Sequence, residues 1–585
     1  MKSVLKIAAL TLFTCCACSK IPESERADLV VYGPVYTADN LMPAAEGFAV
    51  RDGRFVCVGS RSSVGRFVSG SRTRVIDLAG GGMIIPGCAE SHAHYLMDRS
   101  LTLANAVKIS EFEDTKASIK TKLEREYMRA KHYGRKFVYA IGWNYQLLLM
   151  EDLFTRLELD EICPDLPLYM NDSEGHKGLA NTKCLVNAGV TDAEGNLIMG
   201  QIRGGEICTG ADNKATGLLK EQAGTYVRQH GIPFNEVLTD EGAKKVIQSS
   251  CAMLHKNGYT MYMDAWSNYF GGEELMAAAQ ALDREGGLRM NLGLSYEIES
   301  SNTQLNQELT KAFACSRYAS THVFPNFIKL FIDGTVEGGT GLTSKPYPDG
   351  HEGIQNWEQS EVADISKAAS DAGFSMHIHT MGDKAVDIAV KAYESLGPDC
   401  KPMRNSLAHV RNMIDEDKQI CADNDIIVIS GMLWHVVMLE GIRYIIPEIV
   451  PEGMGDKSYP KKSLVEKGVT VTSHSDFPAN SGSPIDPMGI MEIAVTGSMR
   501  DVILDIPSTP WWPQELLTRM QVLRSLTING AYQLHIENER GSISPGKWAD
   551  FVVFDNDAFV CDSSDIHKIK VLSTFFEGEQ VYAAE

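Results

Sequence analysis

Beyond residue 18 the sequence holds no Cys-x-x-Cys pair. Ten cysteines stand singly, at positions 57, 88, 163, 184, 208, 251, 315, 400, 421 and 561. That scatter excludes a cysteine-rich zinc module, and most of the ten read as buried apolar fillers. Positive charge is scarce: 55 Lys and Arg stand against 76 Asp and Glu, a formal net charge of -21, with no Lys/Arg-rich run. Nucleic acid and anionic lipid surfaces are therefore not expected partners. No long repeat and no low-complexity segment is present. The hydrophobic share of 44% and charged share of 22% are those of a soluble globular protein.

One short apolar run does occur, at the N-terminus. Lys2 and Lys6 flank the start of Val4 to Phe13, which is too short to span a bilayer. It runs into Cys15-Cys16-Ala17-Cys18-Ser19. A small residue before a cysteine resembles a bacterial lipoprotein signal, with residues 1–17 removed and lipid on Cys18. An ordinary secretory signal cut nearby is the alternative. Both export the chain to the cell envelope, as a periplasmic protein or an outer-membrane lipoprotein, with the Cys18 lipid as the sole membrane contact.

The length of 585 residues suits a large α/β barrel plus an accessory domain. Residues 18–82 are rich in short strands with Gly-marked turns, and 536–585 repeat that texture. Ala27-Asp28-Leu29-Val30-Val31 and Ala549-Asp550-Phe551-Val552-Val553 are near copies, which predicts one composite β-sandwich assembled from both chain ends. Between them, residues 83–535 alternate strand and helix. Strands are expected at Met83–Ile85, Thr260–Met263, Leu292–Tyr296, Phe327–Ile332, Ser375–His379, Ser406–Ala408, Ile426–Ser430 and Val469–Thr472. Eight such strands close a (β/α)₈ TIM-like barrel. A surplus strand, Pro167–Met170, falls in an insertion after the first barrel strand, at about 135–230, which reads as a lid.

The chemistry starts at His92-Ala93-His94, just after the apolar run Met83-Ile84-Ile85-Pro86. In extended backbone alternate residues point to one side, so both imidazoles can face one metal ion. Barrel enzymes keep their chemistry at the C-terminal strand ends, and further donors follow in order there. Lys329 sits in the almost wholly apolar Asn326-Phe327-Ile328-Lys329-Leu330-Phe331-Ile332. A charged ammonium is costly in such a strand. Reaction with CO₂ to a carbamate is one solution; a packed stem with its head reaching water or an acid is the other. His377-Ile378-His379 repeats the alternate-residue pattern, with one imidazole expected at the metal and its neighbour turned outward or behind it. His409 ends the sixth strand segment and Asp476 the eighth.

At these residues the chain resembles the amidohydrolase superfamily, in its amidohydrolase family 3 branch of N-substituted formamide deformylase-like and D-aminoacylase-like proteins. The matching stretches are Ile85-Pro86-Gly87 to His94, Gly142-Trp143, Gly175-His176 with Asn181, and Thr216 to Glu221. They continue with Lys329 to Gly334, His379 to Ala385, His409, Ser475-Asp476, and the tail Gly541 to Phe551. The resemblance implies a divalent metal, with zinc the first expectation, as one or two ions. His92 and His94 would hold the first, carbamylated Lys329 would bridge, His379 and His409 would hold the second, and Asp476 would stand at the water as ligand and proton carrier. It implies a metal-activated hydroxide attacking an N-acyl, N-formyl or cyclic amide carbonyl, a carbon–nitrogen bond other than a peptide bond. His176 from the insertion and His435 would meet this small-molecule substrate, and self-association into a homo-oligomer is common among relatives. Two departures stand out. Glu90 replaces the usual Asp two residues before the first histidine, and Ser430 to His435 lacks the expected Gln-Pro, so Trp434 and His435 line a different pocket. Among aromatics, Trp143, Tyr145, Phe270, Trp434 and Trp511 are pocket candidates. A mononuclear deaminase of an amino-heterocycle is the alternative reading; it needs no bridging lysine. A catalytically dead ligand-binding lipoprotein is a third, opposed by the intact donor set.

Overall fold

The computed structural model describes residues 21–70, 72–110, 114–143, 153–172, 175–270, 272–302, 304–336, 338–435, 450–455, 458–479, 486–498 and 512–585. The expected signal segment with Cys18 lies outside the described residues, as do Tyr145, Trp511 and the side chain of His435. No helix among the described residues is long and apolar enough to cross a membrane.

Eight parallel strands form the central sheet, Cys88–Ala93, Tyr259–Asp264, Asn291–Glu297, Val323–Phe331, Ser375–Thr380, Ser406–His409, Ile427–Ser430 and Val471–Ser473. Each pairs with the next in that order, and the eighth packs back onto the first. The strands alternate in the way a barrel requires. On the fifth, Met376 and Ile378 join the main apolar core, whereas His377 and His379 form hydrogen bonds within the barrel. Ala89, Met261, Met263 and Phe327 plug the barrel interior together with Ala531 and Leu534. The polar side chains are thereby left to the opposite, C-terminal end.

The first barrel strand is Cys88–Ala93 and not Met83–Ile85. Met83–Pro86 instead pairs antiparallel with Phe551–Phe554, and its Ile84 pairs with Val35. A run buried on both faces has no diagnostic period, so sequence alone does not say which sheet it joins. Gly87 makes the change of sheet: a Cβ there would lie 2.1 Å from the Thr260 hydroxyl.

Both chain ends do build one domain. Its strands Leu29–Tyr36, Ala44–Arg51, Arg54–Gly59, Arg74–Asp77, Met83–Pro86, Phe551–Phe554, Val571–Phe576 and Glu579–Ala583 form a single hydrogen-bonded sheet. The Phe48 and Phe551 rings lie 4.9 Å apart although their strands stand three places apart in the sheet. Flat strands so separated would be about 14 Å apart at ~4.8 Å per step, so the sheet folds over on itself. Its two layers enclose Val31, Phe48, Phe55, Ile84, Phe551 and Phe575.

The insertion begins earlier than residue 135. A six-stranded sheet runs from Val107–Lys108 through Val138–Trp143, Leu168–Asp172, Lys177–Ala180 and Ala215–Glu221 to Gly205–Thr209 at its edge. Helix Lys116–Tyr133 packs on it through Ile119, Leu123 and Ala130. In sequence that helix is indistinguishable from an ordinary barrel helix, and a two-residue strand carries no period. The surplus strand is the third of this sheet, as its position between helices suggests.

Candidate metal centre

His92, the penultimate residue of the first strand, is buried. Its Nδ1 lies 2.6 Å from His377 Nε2, and His377 Nδ1 lies 3.2 Å from the Ser406 hydroxyl. That contact uses one ring nitrogen and leaves His92 Nε2 facing the barrel mouth, 3.4 Å from Asp476 Oδ1. His94 Nε2 stands 3.3 Å from the same oxygen. Asp476 Oδ1 and His94 Nδ1 are buried without a hydrogen-bond partner. Three donor atoms converging without bonding to one another is the arrangement a cation completes.

A second group shares Asp476. His409, His474 and Asp476 each place one donor atom within 4.8 Å of the others, as do His92, His94 and Asp476. His409 Nδ1 is 3.3 Å from His474 Nε2. The His379 ring stands 4.5 Å from that of His409, between centroids. Its Nε2 faces the Gly334 carbonyl at 3.2 Å, a contact that leaves Nδ1 as the free lone pair. Both histidines of the fifth strand point inward: His377 lies one layer deeper, behind His92, rather than outside the barrel.

Lys329 is fully buried in the fourth strand, its Nζ without a hydrogen-bond partner and 4.2 Å from the centre of the Phe331 ring. Burial lowers its pKa to about 7, against the opposing pull of Asp476 and Glu297. An amine so placed is available as a nucleophile. Burial likewise holds His92, His377, His379 and His409 well below the usual imidazole range, and His474 at about 4. These rings are neutral at pH 7, the state in which imidazole ligates metal. A set of neutral imidazoles with one shared carboxylate fits a borderline divalent ion such as zinc.

The backbone pays for this convergence. His409, Val410 and Asp476 adopt φ of 76°, 46° and 55°, a left-handed region costing non-glycine residues roughly 1–2 kcal/mol each. Glu90 closes the seam that sets Asp476. Its carboxylate accepts from His92 N at 3.3 Å and from Ser475 N at 3.1 and 3.2 Å. Asp476 N in turn donates to the His92 carbonyl at 3.2 Å. The longer acid at position 90 thus ties the first strand to the loop after the eighth.

Above the donors lies a cavity of about 250 Å³, bounded by the barrel loops and by the insertion. His176 reaches in from the insertion, its Nδ1 2.8 Å from Glu221 Oε2, and its ring stands 5.2 Å from that of His379. Trp434 lines the cavity, as do Tyr459 and Trp512. Trp143 does not: it is buried in the insertion core, where its Nε1 donates to the Met170 carbonyl at 3.3 Å. Phe270 packs against core residues rather than the cavity. Sequence reasoning missed His474 as a donor, although His474-x-Asp476 repeats the His92-x-His94 spacing. It also gave Glu221 no role.

A closed parallel barrel whose strand ends gather imidazoles and one carboxylate around a shared point has the form of a barrel protein with a metal centre at its mouth. Comparison with known proteins narrows this. The pattern of the amidohydrolase family matches residues 74–582, and the chain belongs to that family, a family of hydrolases acting on carbon–nitrogen bonds. The chain is 25% identical to Protein LONG AFTER FAR-RED 3 of Arabidopsis thaliana, over 95% of this chain and 91% of that one. It is 24% identical to the N-substituted formamide deformylase of Arthrobacter pascens, over 94% and 97%. Its fold is similar to an uncharacterized metal-dependent hydrolase from Pyrococcus horikoshii OT3, with a TM-score of 0.68, 22% identity, and coverage of 92% and 99%.

Proposed function

We propose that this chain hydrolyses a non-peptide amide bond in a small molecule, N-acyl, N-formyl or cyclic, using two divalent ions, with zinc the best match to the donors. The carrying observation is Asp476 Oδ1, unpartnered and 3.4 and 3.3 Å from the Nε2 atoms of His92 and His94. In this reading His92, His94 and Asp476 hold one ion, and His379 and His409 hold the other, with His474 beside it. Lys329, as its carbamate, would offer an anionic oxygen to these ions. The buried, partner-free amine favours that modification. Bound there, the ions supply Lewis acidity and lower the pKa of a water. The Asp476 carboxylate would accept a proton from the attacking water and pass it to the leaving nitrogen. His176, oriented by Glu221, donates to the substrate carbonyl or carboxylate.

The test is a screen of N-acyl and N-formyl amines and cyclic amides with the purified protein, before and after chelation. Hydrolysis that stops in chelator and returns with zinc is the expected result. Hydrolysis indifferent to chelator would remove the metal from the reaction.

His377 serves this site from behind, through the 2.6 Å contact that fixes which nitrogen of His92 faces the mouth. Replacing it with Ala should weaken metal affinity by about 10–100-fold, read by competition against a chelating dye. The Gln variant should recover part of that loss. Unchanged affinity in the Ala variant would make His377 a packing residue.

A further inference from the structure

Resting on the metal-centre part of the reading above, we propose that His474 is a direct ligand of the second ion, a donor beyond the set that the family resemblance implies. The chain supplies it by using one device on two neighbouring strands. His92-x-His94 ends the first barrel strand and His474-x-Asp476 follows the eighth, and these strands pack together where the barrel closes. Side chains at alternate positions of extended backbone share one side. The two strand ends thereby bring four donors together, with the His474 ring 5.3 Å from that of His92.

The spacings are those of ligands that share an ion. Donor atoms held roughly 2.0–2.1 Å from one tetrahedral ion stand about 3.3–3.4 Å from each other. His92 Nε2 and His94 Nε2 lie 3.4 and 3.3 Å from Asp476 Oδ1, and His474 Nε2 lies 3.3 Å from His409 Nδ1. A ring can also touch a ligand from behind, as His377 does, but the two cases differ. His377 meets His92 at 2.6 Å and turns its other nitrogen to Ser406 at 3.2 Å. His474 Nδ1 is buried without a hydrogen-bond partner, so no such chain leads away from it. The donor atoms of His474, His409 and Asp476 all lie within 4.8 Å of one another, whereas His377 joins no such group among the described residues.

The loop after the seventh strand packs against this ring. Trp434 stands edge-on to His474, 5.0 Å between centroids at 84°. Gly431 leaves room for both, since a Cβ there would lie 2.6 Å from Trp434 Cε3 and 3.1 Å from His474 Nε2. Ser430 to His435 is the segment that lacks the expected Gln-Pro, so this departure of the sequence lies against the added ligand. With His379 and His409, His474 gives the second ion three imidazoles, a set that suits zinc or cobalt better than manganese or magnesium.

Cobalt-loaded protein tests this without turnover. The His474→Cys variant places a thiolate at the position, and a direct ligand there gives a sulfur-to-cobalt charge-transfer band that the wild type, loaded in the same way, lacks. His474→Ala should bind one of its two ions about tenfold more weakly or worse, read by competition against a chelating dye, and leave the other ion in place. His474→Asp, which keeps a donor, should lower the preference for zinc over manganese by a similar factor. A folded His474→Cys protein that carries two cobalt ions and shows no such band would overturn the proposal and leave the metal centre standing, as would unchanged affinity in His474→Ala. Wild-type protein that takes up no cobalt and no zinc would overturn the metal centre, and this proposal with it. The band in His474→Cys beside a wild type that hydrolyses no amide would overturn the hydrolase reading alone.

Discussion

Asp476→Asn should lower kcat by about 10²–10⁴-fold, the range for loss of a positioned acid–base group, while thermal unfolding stays close to wild type. The asparagine keeps the shape and one oxygen but loses the negative charge and the ability to carry a proton. The left-handed φ of 55° at this position is one that asparagine tolerates better than most residues, so backbone strain does not confound the result. Asp476 also belongs to both donor groups, and the variant should therefore hold metal more weakly. Saturating zinc separates the two effects: it should restore occupancy and leave kcat low. Recovery of full activity at high zinc would show that Asp476 is a ligand only, and that the proton moves by another route.

Lys329→Ala should reduce bound metal from about two ions per chain to about one and abolish measurable turnover. Lys329 is fully buried, its Nζ has no hydrogen-bond partner, and burial has already lowered its pKa to about 7. A lysine kept only for packing has no need of that position, since an apolar residue would fill it without desolvating an amine. Mass spectrometry under native conditions, or ¹³C labelling with bicarbonate, should detect the carbamate in the wild type. Two ions retained in the alanine variant would refute the bridging role, whatever the activity shows.

The fold was legible where period and order both spoke. Seven of the eight barrel strands fall within a few residues of their expected places, because apolar runs such as Phe327–Ile332 are followed by helical spacing. The first strand was misplaced because Met83–Ile85 and Cys88–Ala93 are both buried, and only pairing partners from the far end of the chain separate them. The start of the insertion was hidden for a related reason: Val107–Lys108 is too short to show alternation. In the site, spacing and order named His92, His94, His379, His409 and Asp476 as candidates, and the fold brings these side chains together. His377 was read as the neighbour of His379, turned outward or behind it, and its contact with His92 decides for the second; His474 was missed, since a histidine two residues from Asp476 looks redundant until its nitrogen is seen to meet that of His409. The aromatics of the cavity were legible only in part: Trp434 was expected there, but Trp266, Tyr269, Phe331, Tyr459 and Trp512 also line it, from segments that no local pattern joins.

The central claim is that the barrel mouth holds divalent metal through these side chains. Elemental analysis of the purified chain beside a His92→Ala, His409→Ala double variant tests it most directly. The account predicts close to two zinc-type ions per wild-type chain and fewer than 0.2 in the folded double variant, on the order of a tenfold loss or more for removed ligands. Full metal content in the double variant, or active wild-type protein free of metal, would contradict it.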